Sequence, residues 1–188
     1  MLRNFESMSP QLAAGAWVDE TALVVGDVVL AEDVSIWPLT VVRGDVNHIR
    51  IGPRSNVQDG TVVHVAHHRE GYWPGLPTIV GADVTIGHRA IVHACTIGNA
   101  CLIGMGAIVM DGAVLGDEIV LAAGSVVPPG KQLEGGWLYV GSPAQPRRRL
   151  LEAERENLYY SAAHYVQLLR RHRDGPAAAA STSAAGGR

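Results

Sequence analysis

The sequence predicts an all-β chain: a single-stranded parallel β-helix of about six coils, followed by one C-terminal α-helix. Three observations predict it. A large aliphatic residue recurs every six positions over more than a hundred residues, with a small or β-branched residue four places after each except Val63 and Val127, which border a loop and the end of the array. The composition is 47% hydrophobic but only 5% aromatic, with 22 Gly and a single Phe, which suits short narrow strands joined by tight corners. After Pro143 the period of six gives way to steps of three and four, the spacing of a helix face.

Residues 1–11 are read as an N-terminal extension, and Met1 to Glu6 lacks the apolar core of a secretion signal. The coiled region is placed at 12–145. Its large positions run Leu12, Val18, Val24, Leu30, Ile36 and Val42, with Ala16, Ala22, Val28, Val34, Thr40 and Val46 as the small partners. A three-residue insertion around Asn47-His48-Ile49 interrupts the series, which resumes at Ile51, Val57 and Val63. A loop from about Ala66 to Thr78 follows, then Val80, Ile86 and Val92 with Val84, Ala90 and Thr96. One residue is dropped, and Ile97, Ile103, Val109, Leu115, Leu121 and Val127 complete eighteen hexads, ending at Lys131. Three strands per coil make a triangular prism whose coils stack about 4.8 Å apart and bury their inner faces against one another. Residues 146–173 are expected to be helical, since Leu150, Leu151, Leu158, Ala162, Tyr165, Val166 and Leu169 form a stripe. Residues 174–188, rich in Ala, Gly and Ser, read as a disordered tail.

A formal net charge of -3 gives no electrostatic reason to expect nucleic acid or an anionic membrane as partner. Cys95 and Cys101 have neither CxxC spacing nor a disulfide framework, and read as small residues of a reduced, cytoplasmic protein.

The register places the chemistry. His64 and His93 both follow the large residue of their hexads, three hexads apart, so they stack on one face of adjacent coils, with Arg43 one coil earlier in the same column. His88 is the third residue of its hexad, on a different face, in one column with Asp59. A tetrahedral metal needs nitrogens within about 2.1 Å, which this chain cannot supply alone. A threefold homo-oligomer solves the geometry: one subunit offers His64 and His93, the next offers His88, and Arg43 opposes Asp59 across the interface. Any one of these histidines could be an ordinary solvated corner residue. Two in register with a third on the complementary face are less easily accidental, and three histidines with a free fourth position make the catalytic form of a zinc site.

Arg43-Gly44-Asp45, Ser55-Asn56-Val57-Gln58-Asp59-Gly60, His64 and Gly87-His88-xxxx-His93 resemble the signature series of the γ-class carbonic anhydrases. The likeness runs from about Val18 to Pro146 and, with Ile36-Trp37-Pro38 and Tyr160-Ser161-Ala162, is closest to the family's small bacterial branch. The left hand of the coil is an implication of that resemblance. It also implies that His64, His88 and His93 bind Zn²⁺, or Fe²⁺ or Co²⁺, and that the reaction is reversible hydration of CO₂ to bicarbonate. Gln58 would hydrogen-bond water at the metal, Arg43, Asp45 and Asp59 would order the interface, and Tyr160 would reach the pocket from the helix. Two departures stand out: Val46 occupies the place of a family glutamate, and the loop from Ala66 to Trp73 offers His67, His68 and Glu70 in place of an acidic proton-shuttling loop. Imidazole is the side chain suited to moving protons near neutral pH. Competing readings are a metal-dependent acyl-CoA thioesterase, a non-catalytic trimeric metal-binding scaffold and, more distantly, a hexapeptide acyltransferase, whose Gly141-Ser142-Pro143-Ala144 ending this chain shares.

Overall fold

The computed structural model describes residues 1–71 and 74–175; the expected disordered tail lies almost wholly outside them. The chain winds as a left-handed parallel β-helix with three faces and a single long helix, α1 (Glu152–Asp174). The first face stacks Leu23–Gly26, Val41–Gly44, Val62–His64, Ile91–His93, Ile108–Val109 and Val126–Val127. The second stacks Val28–Leu30, Ile49–Ile51, Thr78–Val80, Thr96–Ile97, Val114–Leu115 and Gln132–Leu133. The third runs from Trp17–Val18 through Ser35–Ile36, Asn56–Val57, Thr85–Ile86, Leu102–Ile103 and Val120–Leu121 to Trp137–Val140.

The six-residue period is the arithmetic of this prism. Two residues of each hexad form a strand, one turns the corner, and the large aliphatic points inward: Val24, Ile36, Val57, Ile86, Ile103 and Leu121 are fully buried. Corners call for a left-handed residue, and non-glycines accept it at Asp33, Arg54, Asp83, Ala100 and Glu118 in one column. Gly81 answers a different demand, since a Cβ there would stand 2.7 Å from the backbone of Gly98 in the next coil.

The structure corrects four details. Val46 and Thr96 face outward; the insertion shifts the inward place to Ile49, and the dropped residue shifts it to Cys95. The array does not stop at Lys131: Leu133 and Tyr139 continue it, pairing with Leu115 and Leu121. At the other end, Leu2–Arg3 of the N-terminal extension pairs with Val24 and Val25. Finally, helix does not begin at Pro146. Gln145–Arg149 instead runs antiparallel to Trp137–Val140, which caps the open edge of the third face, and α1 starts only at Glu152. Pro146 has no N–H to give a ladder, and an edge strand is where a proline fits.

α1 then lies back along the third face, burying Leu158, Ala162, Val166 and Leu169. Its C-terminal end packs among aromatics: Trp37 meets Tyr165 at 5.5 Å and His172 at 5.2 Å, with Trp17 edge-on to Trp37 at 5.1 Å. No helix among the described residues is long and apolar enough to cross a membrane.

Candidate metal centre

The centre is built from translational register. Parallel pairing of Ile91–His93 on Val62–His64 sets His93 directly above His64, so their side chains leave the first face together. Pairing of Thr85–Ile86 on Asn56–Val57 carries His88 above Asp59 at the corner where the third face turns into the first.

Each histidine has one ring nitrogen tied to a carboxylate. His64 Nε2 lies 3.1 Å from Asp45 Oδ1, His93 Nδ1 lies 2.6 Å from Asp111 Oδ1, and His88 Nδ1 lies 2.9 Å from Asp59 Oδ2. A ring nitrogen that donates to a carboxylate leaves the opposite nitrogen with its lone pair outward, the usual support of a metal-ligating histidine. The remaining nitrogens of His64 and His93, Nδ1 and Nε2, face one another at 3.1 Å. Two lone pairs so close repel unless a proton or a cation lies between them. The separation is near the edge of a tetrahedron of metal–nitrogen bonds, about 3.4 Å for bonds of about 2.1 Å. The donor set therefore fits a divalent metal that accepts imidazole. Within one chain and among the described residues, no three His, Cys, Asp or Glu groups converge tightly enough to hold an ion.

Electrostatics favour a neutral His64. Burial, joined by the positive charge of Arg43, holds His64 below its usual pKa against the pull of Asp45. Burial works against ionisation of Asp45, but hydrogen bonds from Arg43 and His64 outweigh it and keep that carboxyl below the ordinary range. Arg43 is engaged with Asp45 in its own chain, as Asp59 is with His88.

A groove of about 510 Å³ opens beside His88, between the third face and α1. Gln58, Thr85 and His88 supply its polar end, Leu102 and Val120 line its apolar wall, and Ser161 and Tyr165 reach it from α1. Burial and the negative charge of Asp59 raise the Tyr165 pKa. Tyr160 is 67% exposed and stacks on His164, outside the groove of its own chain. His67 and His68 are exposed on the loop that leaves the first face after Val65, and Val46 is exposed too.

Three participants were not anticipated from the sequence: Asp111, Ser161 and Tyr165. Tyr165 and Ser161 were visible only as parts of a helix stripe and a motif. Asp111 carried a faint signal, an acid just past the large residue of the hexad one coil above His93.

Comparison with known proteins agrees with the fold and narrows the family. Models described as "Bacterial transferase hexapeptide (six repeats)" and "Hexapeptide repeat of succinyl-transferase" match residues 94–129 and 77–106. Protein YrdA of Escherichia coli is 48% identical over 89% of this chain and 91% of its own. Gamma carbonic anhydrase 2, mitochondrial, of Arabidopsis thaliana is 38% identical over 91% of this chain and 61% of its own length. Among solved structures, a hexapeptide transferase family protein from Anaplasma phagocytophilum superposes with a TM-score of 0.83 at 41% identity, covering 90% of this chain and 96% of the other. A match to YrdA over about nine-tenths of both chains, a similarly long stretch shared with a γ carbonic anhydrase and the matched repeats lead to one assignment: the chain belongs to the hexapeptide-repeat superfamily and, within it, to the γ-carbonic-anhydrase-like family.

Proposed function

We propose that three copies of this chain assemble so that His64 and His93 of one copy and His88 of the next hold a Zn²⁺, Fe²⁺ or Co²⁺ ion, and that the centre hydrates CO₂ reversibly. The observation that carries the proposal is the carboxylate behind every histidine, which leaves two lone pairs converging 3.1 Å apart on the first face. Bound there, the metal supplies a water that ionises near neutral pH. The chain's residues do the rest. Asp45, Asp59 and Asp111 hold the rings in their ligating tautomers, and Gln58 offers its amide to the hydroxyl group to be oriented. Leu102 and Val120 give an apolar lodging for CO₂, and His67 or His68 exports the proton through the exposed loop. Arg43 of one copy faces Asp59 of the next and orders the interface. The free, buried thiols Cys95 and Cys101, with pKa values pushed up by burial to about 12, are inert and take no part in the reaction.

The test is metal analysis of anaerobically purified protein, followed by stopped-flow CO₂ hydration on the same sample and sedimentation with and without chelator. One metal per subunit, a trimer and metal-dependent hydration are expected. A fully metallated trimer without hydration would overturn the activity and leave the centre.

The groove favours a second reading. Its volume is more than ten times the roughly 30 Å³ of a water molecule in the liquid, far beyond what CO₂ requires. Such a space suits the acyl end of a thioester, hydrolysed with the same activated water. Screening acyl-CoA substrates of increasing chain length separates the two: hydrolysis that rises with chain length favours the thioesterase.

A further inference from the structure

At the polar end of the groove a chain of four polar side chains runs from the prism onto the helix, with Gln58, Thr85 and Ser161 lining the groove and Asn56 behind them. Gln58 Nε2 donates to Asn56 Oδ1 at 3.2 Å, and Asn56 Nδ2 donates to Thr85 Oγ1 at 3.0 Å. Thr85 Oγ1 in turn lies 3.2 Å from Ser161 Oγ, 76 residues away on α1. Asn56, Gln58 and Thr85 are all buried. Asn56 and Thr85 are register partners on adjacent coils, so the prism itself fixes that link.

The chain has a direction. An amide has one donating end and one accepting end. One N–H of Gln58 is committed to Asn56, which turns Nε2 toward Asn56 and leaves Oε1 outside the network. Asn56 accepts with Oδ1 and donates with Nδ2, so turning it over alone sets its amide nitrogen against that of Gln58 and loses that bond, even though the Thr85 hydroxyl could adjust. Thr85 Oγ1, having accepted from Asn56, keeps its proton and a second lone pair, and it shares a hydrogen bond with Ser161 Oγ in which either hydroxyl can donate. Turning Gln58 over with the chain intact would require Asn56 to turn over with it and the Thr85 hydroxyl to donate where it now accepts. Buried networks of this kind fix one arrangement when every member is satisfied.

We infer that Thr85 and Ser161 are positioning residues that hold Gln58 with its carbonyl oxygen toward the groove, so that docking of the C-terminal helix makes this end of the site an acceptor for a hydroxyl or water proton. The inference rests on the proposed place of Gln58 at the reaction centre. A merely structural network would hold the helix without caring which end of Gln58 faces the groove.

The experiment uses the full-length, zinc-loaded protein with Ser161→Ala and Thr85→Val, and with Ser161→Thr and Thr85→Ser as conservative replacements. The first readout is the side-chain amide resonances of Gln58 in protein labelled with ¹⁵N-glutamine, assigned by their loss in Gln58→Ala. The second is the split between kcat and KM for CO₂. Ser161→Ala and Thr85→Val are expected to keep their metal, to shift or double the Gln58 resonances, and to lower kcat by roughly three- to tenfold with KM little changed. Ser161→Thr and Thr85→Ser restore both. Unmoved Gln58 resonances in both disruptive variants overturn the inference, as does a shift that the conservative replacements fail to reverse. A wild type that hydrates no CO₂ overturns the proposed activity instead, and the resonances still decide the positioning role.

Discussion

Two faces of the prism meet at the corner that carries His88, and they are finished to different degrees. The third face is covered: α1 lies along it and buries four apolar side chains there, with a second small cluster formed by Ala100, Leu150 and Leu158. The first face is bare. Val62 and Ile91, in register on adjacent coils, are 41% and 40% exposed beside His64 and His93, whose rings are already oriented by Asp45 and Asp111. Among the described residues there is one long helix, and it lies over the face without the histidine pair. An apolar strip left open next to a prearranged pair of donors is a surface made for contact, and the proposed second copy, bringing His88, is the partner that completes it.

The strongest test of that difference removes the donor that lies on the other face. His88→Ala is expected to take metal content from one per subunit to near zero and hydration to background, although His64 and His93 are untouched. Because His88 is half exposed at a corner, the metal-free chain keeps its stability within about 0.5 kcal/mol. Elemental analysis with urea unfolding of the metal-free protein checks both statements. Full metal retention would mean that the first face holds the ion alone. Next in size is Ile91→Glu, which puts a charge on the bare strip. It is expected to dissociate the trimer in sedimentation while circular dichroism retains the β-helix spectrum, since Ile91 already meets solvent in the single chain. A variant that remains trimeric would place the interface elsewhere.

The covered face answers to a different kind of change. Leu158→Ala opens a cavity under α1 and is expected to cost about 2–5 kcal/mol in urea unfolding, with metal stoichiometry preserved. Asp111→Asn has the opposite profile. It leaves the fold intact but weakens the support behind His93, and metal affinity measured by chelator competition should fall by roughly 10–100-fold. If Asp111→Asn bound metal as tightly as wild type, the orientation of His93 would not depend on its carboxylate.

The repeat is legible in the sequence because it is local: each inward aliphatic is fixed by its place six residues after the last. Register carries the same logic to side chains, so the stacking of His64 with His93 and of His88 with Asp59 follows from counting hexads. Counting fails where the chain gains or loses a residue. At Val46 and Thr96 a shifted phase turns an expected inward side chain out, and only the closed backbone shows that Ile49 and Cys95 take over. The final coil escaped notice because an aromatic, Tyr139, fills a place held elsewhere by aliphatics. Asp111 reaches His93 diagonally across the coil that dropped a residue, a contact no column of the repeat contains. Tyr165 and Ser161 enter the groove only through the docking angle of α1, which depends on the strand Gln145–Arg149 that redirects the chain. A stripe of apolar residues says that a helix packs, not where along the prism it lands.

That redirection has its own small electrostatic signature. Where the strand ends and α1 begins, Glu154 accepts two hydrogen bonds from Arg148, both 2.7 Å, and one from the Leu151 backbone N–H at 2.9 Å. These bonds, Arg148 first, bring its pKa down from 4.5 to about 2. A carboxylate whose folded pKa is depressed adds stability that is complete above its unfolded value and is lost as pH falls through the folded one. The contribution of Glu154 should therefore fade between about pH 4.5 and pH 2. Glu154→Gln abolishes that part of the pH dependence. The urea midpoint of the wild type should drop more between pH 5.5 and pH 3 than that of the variant, by a small margin that added salt narrows, because the pair lies at the surface. Equal drops would show that the turn before α1 contributes nothing that titrates to the anchoring of the covered face.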